Sequence, residues 1–198
     1  MENEETKKIM FITGNTNKFK EVTRIFHHEN LNYSLEQLNL EPTEIQADTI
    51  KKVALFKLNS IKGQTNNSFF VEDAGFFVDK PLKGFPGVYS SYIFKTIGNH
   101  GILKLIDDFE NSTAHFEAII ALYFKPLDKI LTFKGEIEGK ISQNIRGKEG
   151  FGFDPIFIPD ITPNKTFAEL SMNEKNKISH RGQALRKLIL FLKKNMEF

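Results

Sequence analysis

An alternation of strand and helix patterns over the first 71 residues constrains the fold more than any other feature. The apolar run from Ile9 to Thr13 predicts a strand, and apolar side chains then recur at helical spacing from Phe19 to Phe26. Tyr33 to Leu40 predicts a second strand, residues 50–61 a second helix, and residues 68–71 a buried strand. The order β-α-β-α-β favours an α/β fold with helices on both faces of a sheet.

The second half of the chain has a different period. Apolar side chains alternate from Phe116 to Phe124 and again from Leu131 to Ile137, which predicts an antiparallel hairpin. Residues 98–109 are expected to be helical, and a terminal helix is predicted from about Ser179. We therefore predict a mixed sheet surrounded by helices, with a cleft lined by loops. The length favours one domain over residues 1–198, or one domain with two lobes.

Charge and cysteine content exclude several classes of protein. The chain has 27 Lys and Arg against 25 Asp and Glu, which argues against a stable nucleic-acid partner or a polybasic membrane anchor. It has no cysteine, so any bound metal must be held by carboxylate, imidazole or water. The N-terminus is charged and no run approaches the roughly 20 apolar residues of a spanning helix. A cytoplasmic location without a membrane partner is therefore expected.

The loop between the first strand and the first helix is a candidate phosphate site. Its backbone amides and the positive end of the helix can face an anion, and Lys18 adds a charge. No Gly-Lys pair is followed by Ser or Thr, so this is not a Walker-type loop. An ordinary strand-to-helix connection is the alternative interpretation. The candidate residues are Thr13, Gly14, Asn15, Thr16, Asn17 and Lys18.

Two adjacent acids, Glu72 and Asp73, form a candidate cation site. They follow the predicted strand 68–71 directly, at its expected end. Burying two carboxylates there costs free energy unless a cation or strong donors compensate them. Mg²⁺ prefers such oxygen ligands, and Glu44 is a candidate third carboxylate. The alternatives are a solvated turn for the pair and a surface acid for Glu44.

Two further segments have the chemistry of a nucleotide site. In Gly150–Pro155 the glycines flank Phe151 and Phe153, whose rings can stack on a nucleobase. In a chain with 20 Phe, a core position is the alternative for both rings. A solvated first turn is the alternative for the donors that cluster before and at the start of the terminal helix, which are Lys175, His180 and Arg181.

Five ordered blocks between Ile9 and Leu190 resemble the inosine triphosphate pyrophosphatases, also called Ham1-like proteins. The blocks are FITGNTNKFKEV (11–22), PTEIQADT (42–49), VEDAGFFVDKPLKGFPGVYSSYI (71–93), GFGFDPIFIP (150–159) and FAELSMNEKNKISHRGQAL (167–185).

The resemblance implies a fold and a reaction. Family members have an elongated mixed β-sheet flanked by helices, with two lobes and the active-site cleft between them, and they form homodimers. They hydrolyse ITP, dITP and XTP to the monophosphate and pyrophosphate with Mg²⁺, for which Mn²⁺ is an expected substitute. The same nucleotide-cleansing activity is expected of this chain.

The resemblance also gives the acids and lysines expected roles. Glu44 and Glu72 are expected to hold the ion, and Asp73, which is counted with them as a ligand, orients or deprotonates the attacking water. Lys18 is expected to hold the triphosphate with the amides of Thr13 to Asn17, and Lys175 is a second phosphate contact. The family lysine of the second helix matches Lys57, with Lys51 and Lys52 as alternatives.

The resemblance implies that the base is recognised by residues of the last two blocks, 150–159 and 167–185. The base would stack on Phe151 or Phe153 beside Gly152, and its edge would be read by Asp154, His180 and Arg181. Hypoxanthine and xanthine carry a keto oxygen at position 6 where adenine carries an amino group. A buried donor such as Arg181 would therefore favour ITP and XTP over ATP.

Two departures from the family pattern and two competing interpretations stay open. Members often carry Trp or Tyr where this chain has Phe153, and the basic residue that many have soon after Phe85–Tyr89 is absent, so one phosphate contact is expected to be missing.

Maf-like nucleotide pyrophosphatases share the fold, but their Ser-Pro-Arg-Arg type loop does not match Thr13–Asn15. A nucleotide- or RNA-binding module without catalysis would not need three acids, which repel phosphate unless a cation is present.

Overall fold

A computed structural model of the protein describes residues 7–29 and 31–195. Its strands are β1 (Lys7–Ile12), β2 (Tyr33–Leu38), β3 (Ser68–Lys80), β4 (Phe85–Gly87), β5 (Thr113–Phe124), β6 (Lys129–Ile141) and β7 (Phe157–Pro159). Its helices are α1 (Thr16–His27), α2 (Ile50–Ile61), α3 (Ser90–Thr96), α4 (Gly98–Leu105), α5 (Met172–Ile178) and α6 (His180–Lys194). Within the described ranges, no helix is both long and apolar enough to span a bilayer.

The strands of the described residues form one mixed sheet. Their order is β2-β1-β3-β5-β6-β7, and β4 lies beside β3. β1 runs parallel to β2 and β3, whereas the pairs that join β3, β5, β6 and β7, and the pair β3–β4, are antiparallel. The predicted α/β fold with a mixed sheet and helices around it is therefore confirmed, and so is the predicted hairpin, which is β5–β6.

The strand predicted over residues 68–71 is much longer in the structure. β3 continues to Lys80 because β5 pairs with it along its whole length, with Glu72 opposite Ile120 and Asp73 opposite Ile119. The expectation that the two acids lie at a strand end is therefore wrong. They lie within the strand, where their side chains must point to opposite faces of the sheet.

Each face of β3 has its own hydrophobic core. Phe70 packs in a cluster built with buried residues of α1 and α6. Phe69 and Val71 pack in a second cluster built with α2. The alternation continues into the acids, so Glu72 lies on the face of α1 and α6 and Asp73 on the face of α2. A fully buried Phe contributes roughly 1.5–3 kcal/mol, so both faces hold this strand firmly.

One edge of β3 has a gap in its pairing. β1 pairs with residues 68–70, and β4 pairs with residues 76–78. Between these two partners, among the described strands, none pairs with residues 71–75 on that edge. The two acids lie in this gap, so they stand on a rigid strand and still face a cleft.

The helix predicted over residues 98–109 is shorter in the structure and is preceded by another. α4 ends at Leu105, and α3 leads directly into it. The chain changes direction at Gly98, whose φ of +60° favours glycine. The short elements β4, β7, α3 and α5 had no clear signal in the sequence because three or seven residues are too few for a period to emerge.

Candidate active site

A cavity of about 1170 Å³ opens at the gap beside β3. Its walls are the loop after β1, the segment before α2, the middle of β3, helix α3 and residues 151–154. Helix α5 contributes Lys175, and the first turn of α6 contributes His180 and Arg181. Of the residues selected from the sequence, all but Thr16 line this cavity. Segments far apart in the chain are thus brought to one place.

The loop between β1 and α1 is fixed by its own side chains. The Asn15 side chain caps α1 and accepts hydrogen bonds from the amides of Asn17 and Lys18, both at 3.0 Å. The Asn15 amide in turn donates to Thr13 Oγ1 at 3.1 Å. Two of the amides predicted to hold phosphate, those of Asn15 and Asn17, are therefore already donating within the loop.

Lys18 reaches from α1 into the gap beside β3. Its Nζ lies 2.6 Å from Glu72 Oε2 and donates to the Glu72 carbonyl oxygen at 3.3 Å. That carbonyl belongs to the stretch of β3 that lacks a strand neighbour on this edge. Lys18 therefore supplies both a charge and a backbone partner where the sheet is open.

Five buried charged residues form an inner network on the α1 and α6 face of the sheet. Arg181 donates to Glu72 Oε1 through Nε at 3.1 Å and to Glu21 Oε2 through Nη1 at 2.6 Å. Lys175 donates to Glu21 Oε1 at 2.8 Å and to Asp154 Oδ2 at 2.6 Å. The inner network is Glu21, Glu72, Asp154, Lys175 and Arg181, all no more than 4% exposed.

The inner network is balanced in charge once Lys18 is included. Three carboxylates face three cations, so the desolvation cost of each ion is offset by partners at contact distance. Burial alone would raise the pKa of Glu72, but the charges of Arg181 and Lys18 outweigh it and lower that pKa. The pKa of Glu21 is lowered in the same way, against burial, by Arg181 and Lys175.

Three residues form an outer triad on the α2 face of the sheet: Glu44, Lys57 and Asp73. Lys57 Nζ lies 2.6 Å from Glu44 Oε1 and 2.8 Å from Asp73 Oδ2. Lys51 and Lys52 are exposed and do not line the cavity, so Lys57 is the lysine of α2 that faces it. The outer triad has two carboxylates and one ammonium, which leaves one negative charge uncompensated.

The two adjacent acids titrate in opposite directions because their surroundings differ. Burial raises the pKa of Asp73, and the nearby charges of Lys18 and Lys57 only partly offset it. Burial lowers the pKa of Lys57 by itself, but the charge of Asp73 and the bonds to both acids raise it above its ordinary value. Asp73 is thus a carboxylate whose ionised form is poorly compensated in the folded chain, which is typical of an acid-base group.

The predicted metal ligands are only partly brought together. Glu44 and Asp73 converge on one cationic centre, the Lys57 ammonium, whereas Glu72 turns to Lys18 and Arg181. Across residues 7–29 and 31–195, no three carboxylate or imidazole groups form a metal-binding cluster. Asp73 Oδ2 is buried, and its near partner is the Lys57 ammonium at 2.8 Å. Two convergent carboxylates that line a cavity fit Mg²⁺, which often takes one or two protein carboxylates together with substrate phosphates.

The two candidate stacking rings have different environments. Phe153 is buried and stacks on Phe76 with ring centroids 4.9 Å apart, so its core alternative describes it well. Phe151 is half-buried, and the cations of Lys175 and Arg181 lie 5.0 and 5.4 Å from its ring centroid. Both rings line the cavity, and Phe151 is the less buried of the two and the one with cations beside it.

His180 is held as a neutral ring at the inner end of the cavity. It stacks on Phe116 at 4.7 Å with an interplanar angle of 7°. Burial, together with the charges of Arg181, Lys175 and Lys18, moves its pKa well below the ordinary value of 6.5. Its Nδ1 is buried without a hydrogen-bond partner within the described part of the chain. A neutral imidazole at this position can donate through one nitrogen and accept through the other.

Close packing against two glycines sets the position of His180 and Arg181. A Cβ at Gly135 on β6 would overlap the carbonyl oxygen of His180, and a Cβ at Gly182 would overlap the carbonyl oxygen of Asn176. These glycines therefore let the first turn of α6 lie directly on the sheet and on α5. Ser179 caps this turn by accepting from the Gly182 amide at 3.1 Å.

The structure adds residues that the sequence interpretation missed. Glu21 links Lys175 to Arg181, and Asn99 donates to the Gly152 carbonyl oxygen at 3.2 Å, which ties α4 to the aromatic loop. Glu21 had a usable signal, since it lies on the buried stripe of α1, four residues before Ile25. A charge at an apolar position of a helix is a candidate for a buried ion pair.

The comparisons with known proteins identify the family of the chain. The sequence profile of the Ham1 family matches residues 9–191. A dITP/XTP pyrophosphatase of Thermococcus kodakarensis is 45% identical over 190 residues, covering 96% of this chain and 100% of the relative. The dITP/XTP pyrophosphatase of Pyrococcus horikoshii is 44% identical over 191 residues, covering 96% of this chain and 100% of that protein.

Solved structures give the same result at lower identity. The Staphylococcus aureus Ham1 protein superposes with a TM-score of 0.80 at 27% identity, covering 96% of this chain and 100% of its own. A HAM1 protein from Coxiella burnetii superposes with a TM-score of 0.80 at 29% identity, covering 95% and 99%.

Proposed function

The chain belongs to the Ham1 family, and we propose that it hydrolyses the purine nucleoside triphosphates ITP, dITP and XTP to the monophosphate and pyrophosphate. One observation carries the proposal. A single cavity holds an acid with a raised pKa, Asp73, together with five cations and an aromatic face, so it joins a candidate base to groups that suit a nucleotide.

The chain's own residues account for substrate binding. Lys18 and Lys57 face the part of the cavity that contains Asp73, and they can contact phosphate oxygens there. Asp73 orients the water that attacks the α-phosphorus and accepts its proton, since a carboxylate of raised pKa takes up a proton more readily. The bond to the departing pyrophosphate breaks as the new P–O bond forms.

The metal that this chemistry implies fits the outer triad. Glu44 and Asp73 would hold Mg²⁺, with Mn²⁺ as a substitute, and Glu72 stays a predicted ligand whose side chain lies with the inner network. When bound, Mg²⁺ neutralises negative charge on the pyrophosphate.

Base selectivity is proposed for the inner end of the cavity. Phe151 offers its ring with the charged Arg181 beside it, and the neutral His180 lines the same cavity. Both partners of Arg181, Glu21 and Glu72, fix the guanidinium, so it cannot turn away from an unsuitable base. A donor fixed in this way favours a 6-keto group over a 6-amino group.

The test is pyrophosphate release from ITP, XTP, GTP and ATP, with Mg²⁺ and with excess chelator. We expect metal-dependent release from ITP and XTP and little from ATP. Equal turnover of all four would remove base selection by His180 and Arg181. Nucleotide binding without turnover would favour the module without catalysis. The homodimer and the cytoplasmic location stay predictions.

A further inference from the structure

One cation of the cavity differs from the others. Lys18, Lys57, Lys175 and Arg181 each form at least one ion pair of 2.8 Å or less. Lys95, on α3, also lines the cavity, but within residues 7–29 and 31–195 its side chain has neither an ion pair nor a hydrogen bond. It is also exposed.

The position of Lys95 along the cavity can be read from its neighbours. Phe94, one residue earlier, meets the Phe153 ring edge-on at 5.4 Å, so α3 touches the aromatic end of the cavity. On the other side, the hydrogen bond from Lys57 lowers the pKa of Glu44 most, and the charges of Lys18 and Lys95 add to this. Lys95 therefore lies in the cavity that the aromatic loop and the outer triad share, and its charge acts on Glu44.

We infer that Lys95 binds the two terminal phosphates of the nucleoside triphosphate, the part that leaves as pyrophosphate. This inference rests on the proposed function and adds a substrate contact to it. The outer triad has an excess of one carboxylate, and even with Mg²⁺ bound there its net charge would be smaller than that of the two terminal phosphates, so a further cation in this cavity favours their binding. Lys95 is the cation that can turn to an incoming phosphate without giving up a partner.

Charge and exposure set the size of the effect. Lys95 starts from water, so it gains one charge-assisted contact without the cost of breaking an ion pair. A contact of this kind changes a dissociation constant about tenfold, the low end of the range for charged hydrogen bonds. The Lys18 and Lys57 contacts cannot replace it, because both ammonium groups are already paired with carboxylates of the site.

The test uses three variants of the full chain. Lys95→Met removes the charge and keeps most of the length, Lys95→Arg restores the charge, and Lys104→Met is the matched control. Lys104 lies on α4, is exposed, lies outside the cavity and has no ion pair among the described residues. The probes are inorganic pyrophosphate and IMP, each with Mg²⁺, measured by calorimetry, and the KM for ITP.

We expect Lys95→Met to weaken pyrophosphate binding about tenfold and to raise the KM for ITP by a similar factor. Binding of IMP, which lacks the two phosphates, should change less than twofold. Lys95→Arg should restore pyrophosphate binding to within about threefold, and Lys104→Met should match the wild type.

Three results would overturn the inference: pyrophosphate binding in Lys95→Met equal to that in Lys104→Met, an equal loss of IMP binding, or no binding of pyrophosphate by the wild type. Failure of the proposed function is separate, because it would appear as a wild-type protein that does not release pyrophosphate from ITP. The calorimetric comparison of the two methionine variants would still decide the role of Lys95.

Discussion

Glu72 and Asp73 are neighbours on one strand, yet they belong to two regions with different electrostatics. The charge of Glu72 is compensated by Arg181 of the inner network and by Lys18, and these two cations lower its pKa. Asp73 shares one lysine with Glu44 in the outer triad, and its pKa is raised. The alternation of a β-strand separates them, so one acid can serve the structure and the other the chemistry.

The largest expected effect is a loss of turnover in the variant Asp73→Asn. The amide cannot accept the proton of the attacking water, so kcat for ITP should fall about 10³-fold, within the usual range for general bases. KM should change only a few-fold, because binding by the lysines is kept. Steady-state kinetics of ITP hydrolysis measures both constants. A kcat within tenfold of the wild type would remove Asp73 from the chemistry.

The next largest expected effect is a loss of folding stability in the variant Glu72→Gln. Breaking a buried ion pair leaves the charges of Arg181 and Lys18 uncompensated, which lowers the free energy of unfolding by about 3 kcal/mol. The control is Glu36→Gln, which breaks an exposed pair with Lys8 and should cost at most about 1 kcal/mol. Urea unfolding at pH 7 gives both values. Equal losses would show that the inner network adds nothing by being buried.

The contribution of Glu72 to the free energy of unfolding also depends on pH. Its pKa is lowered from 4.5 in the folded protein, so the stabilisation is present above pH 4.5 and is lost as the pH falls through the lowered value. We therefore expect Glu72→Gln and the wild type to converge in stability on acidification. A difference that stays constant from pH 7 to pH 3 would contradict the pKa shift.

A smaller expected effect is a loss of base selectivity in the variant Arg181→Lys. Lysine keeps the charge but loses the planar guanidinium that is fixed by Glu21 and Glu72. The ratio of kcat/KM for ITP to that for ATP should fall about tenfold, since about 1.4 kcal/mol of discrimination is lost. The control is Arg146→Lys, which alters a pair with Glu169 outside the cavity. If both variants keep the wild-type ratio, Arg181 does not read the base.

The fold was predictable where its patterns were long. The stripes of α1 and α2 and the alternation of β5 and β6 each span several periods, and these elements are confirmed. The length of β3 was not predictable, because two acids and a glycine interrupt its apolar pattern after Val71. Its continuation to Lys80 depends on pairing with β5, which starts 33 residues further along the chain, at Thr113.

The family resemblance predicted which residues belong to the site better than it predicted how those residues pair with one another. The resemblance placed Lys57, Lys175 and Arg181 in one site, and all three line the cavity. The pairing of Glu72 with Arg181 was not predictable, since it depends on which face of β3 each acid occupies. Once β3 is known to continue past Val71, the alternation of a strand gives the separation of the two acids directly.

The claim that the two acids do different work is tested most directly by the stability of Asp73→Asn at pH 7, with chelator and without nucleotide. Because the pKa of Asp73 is raised from 3.8, its stabilising contribution is present below pH 3.8 and is lost as the pH rises through the raised value. Urea unfolding should therefore find Asp73→Asn more stable than the wild type, whereas Glu72→Gln is less stable. A loss of stability in Asp73→Asn as large as that in Glu72→Gln would contradict the account.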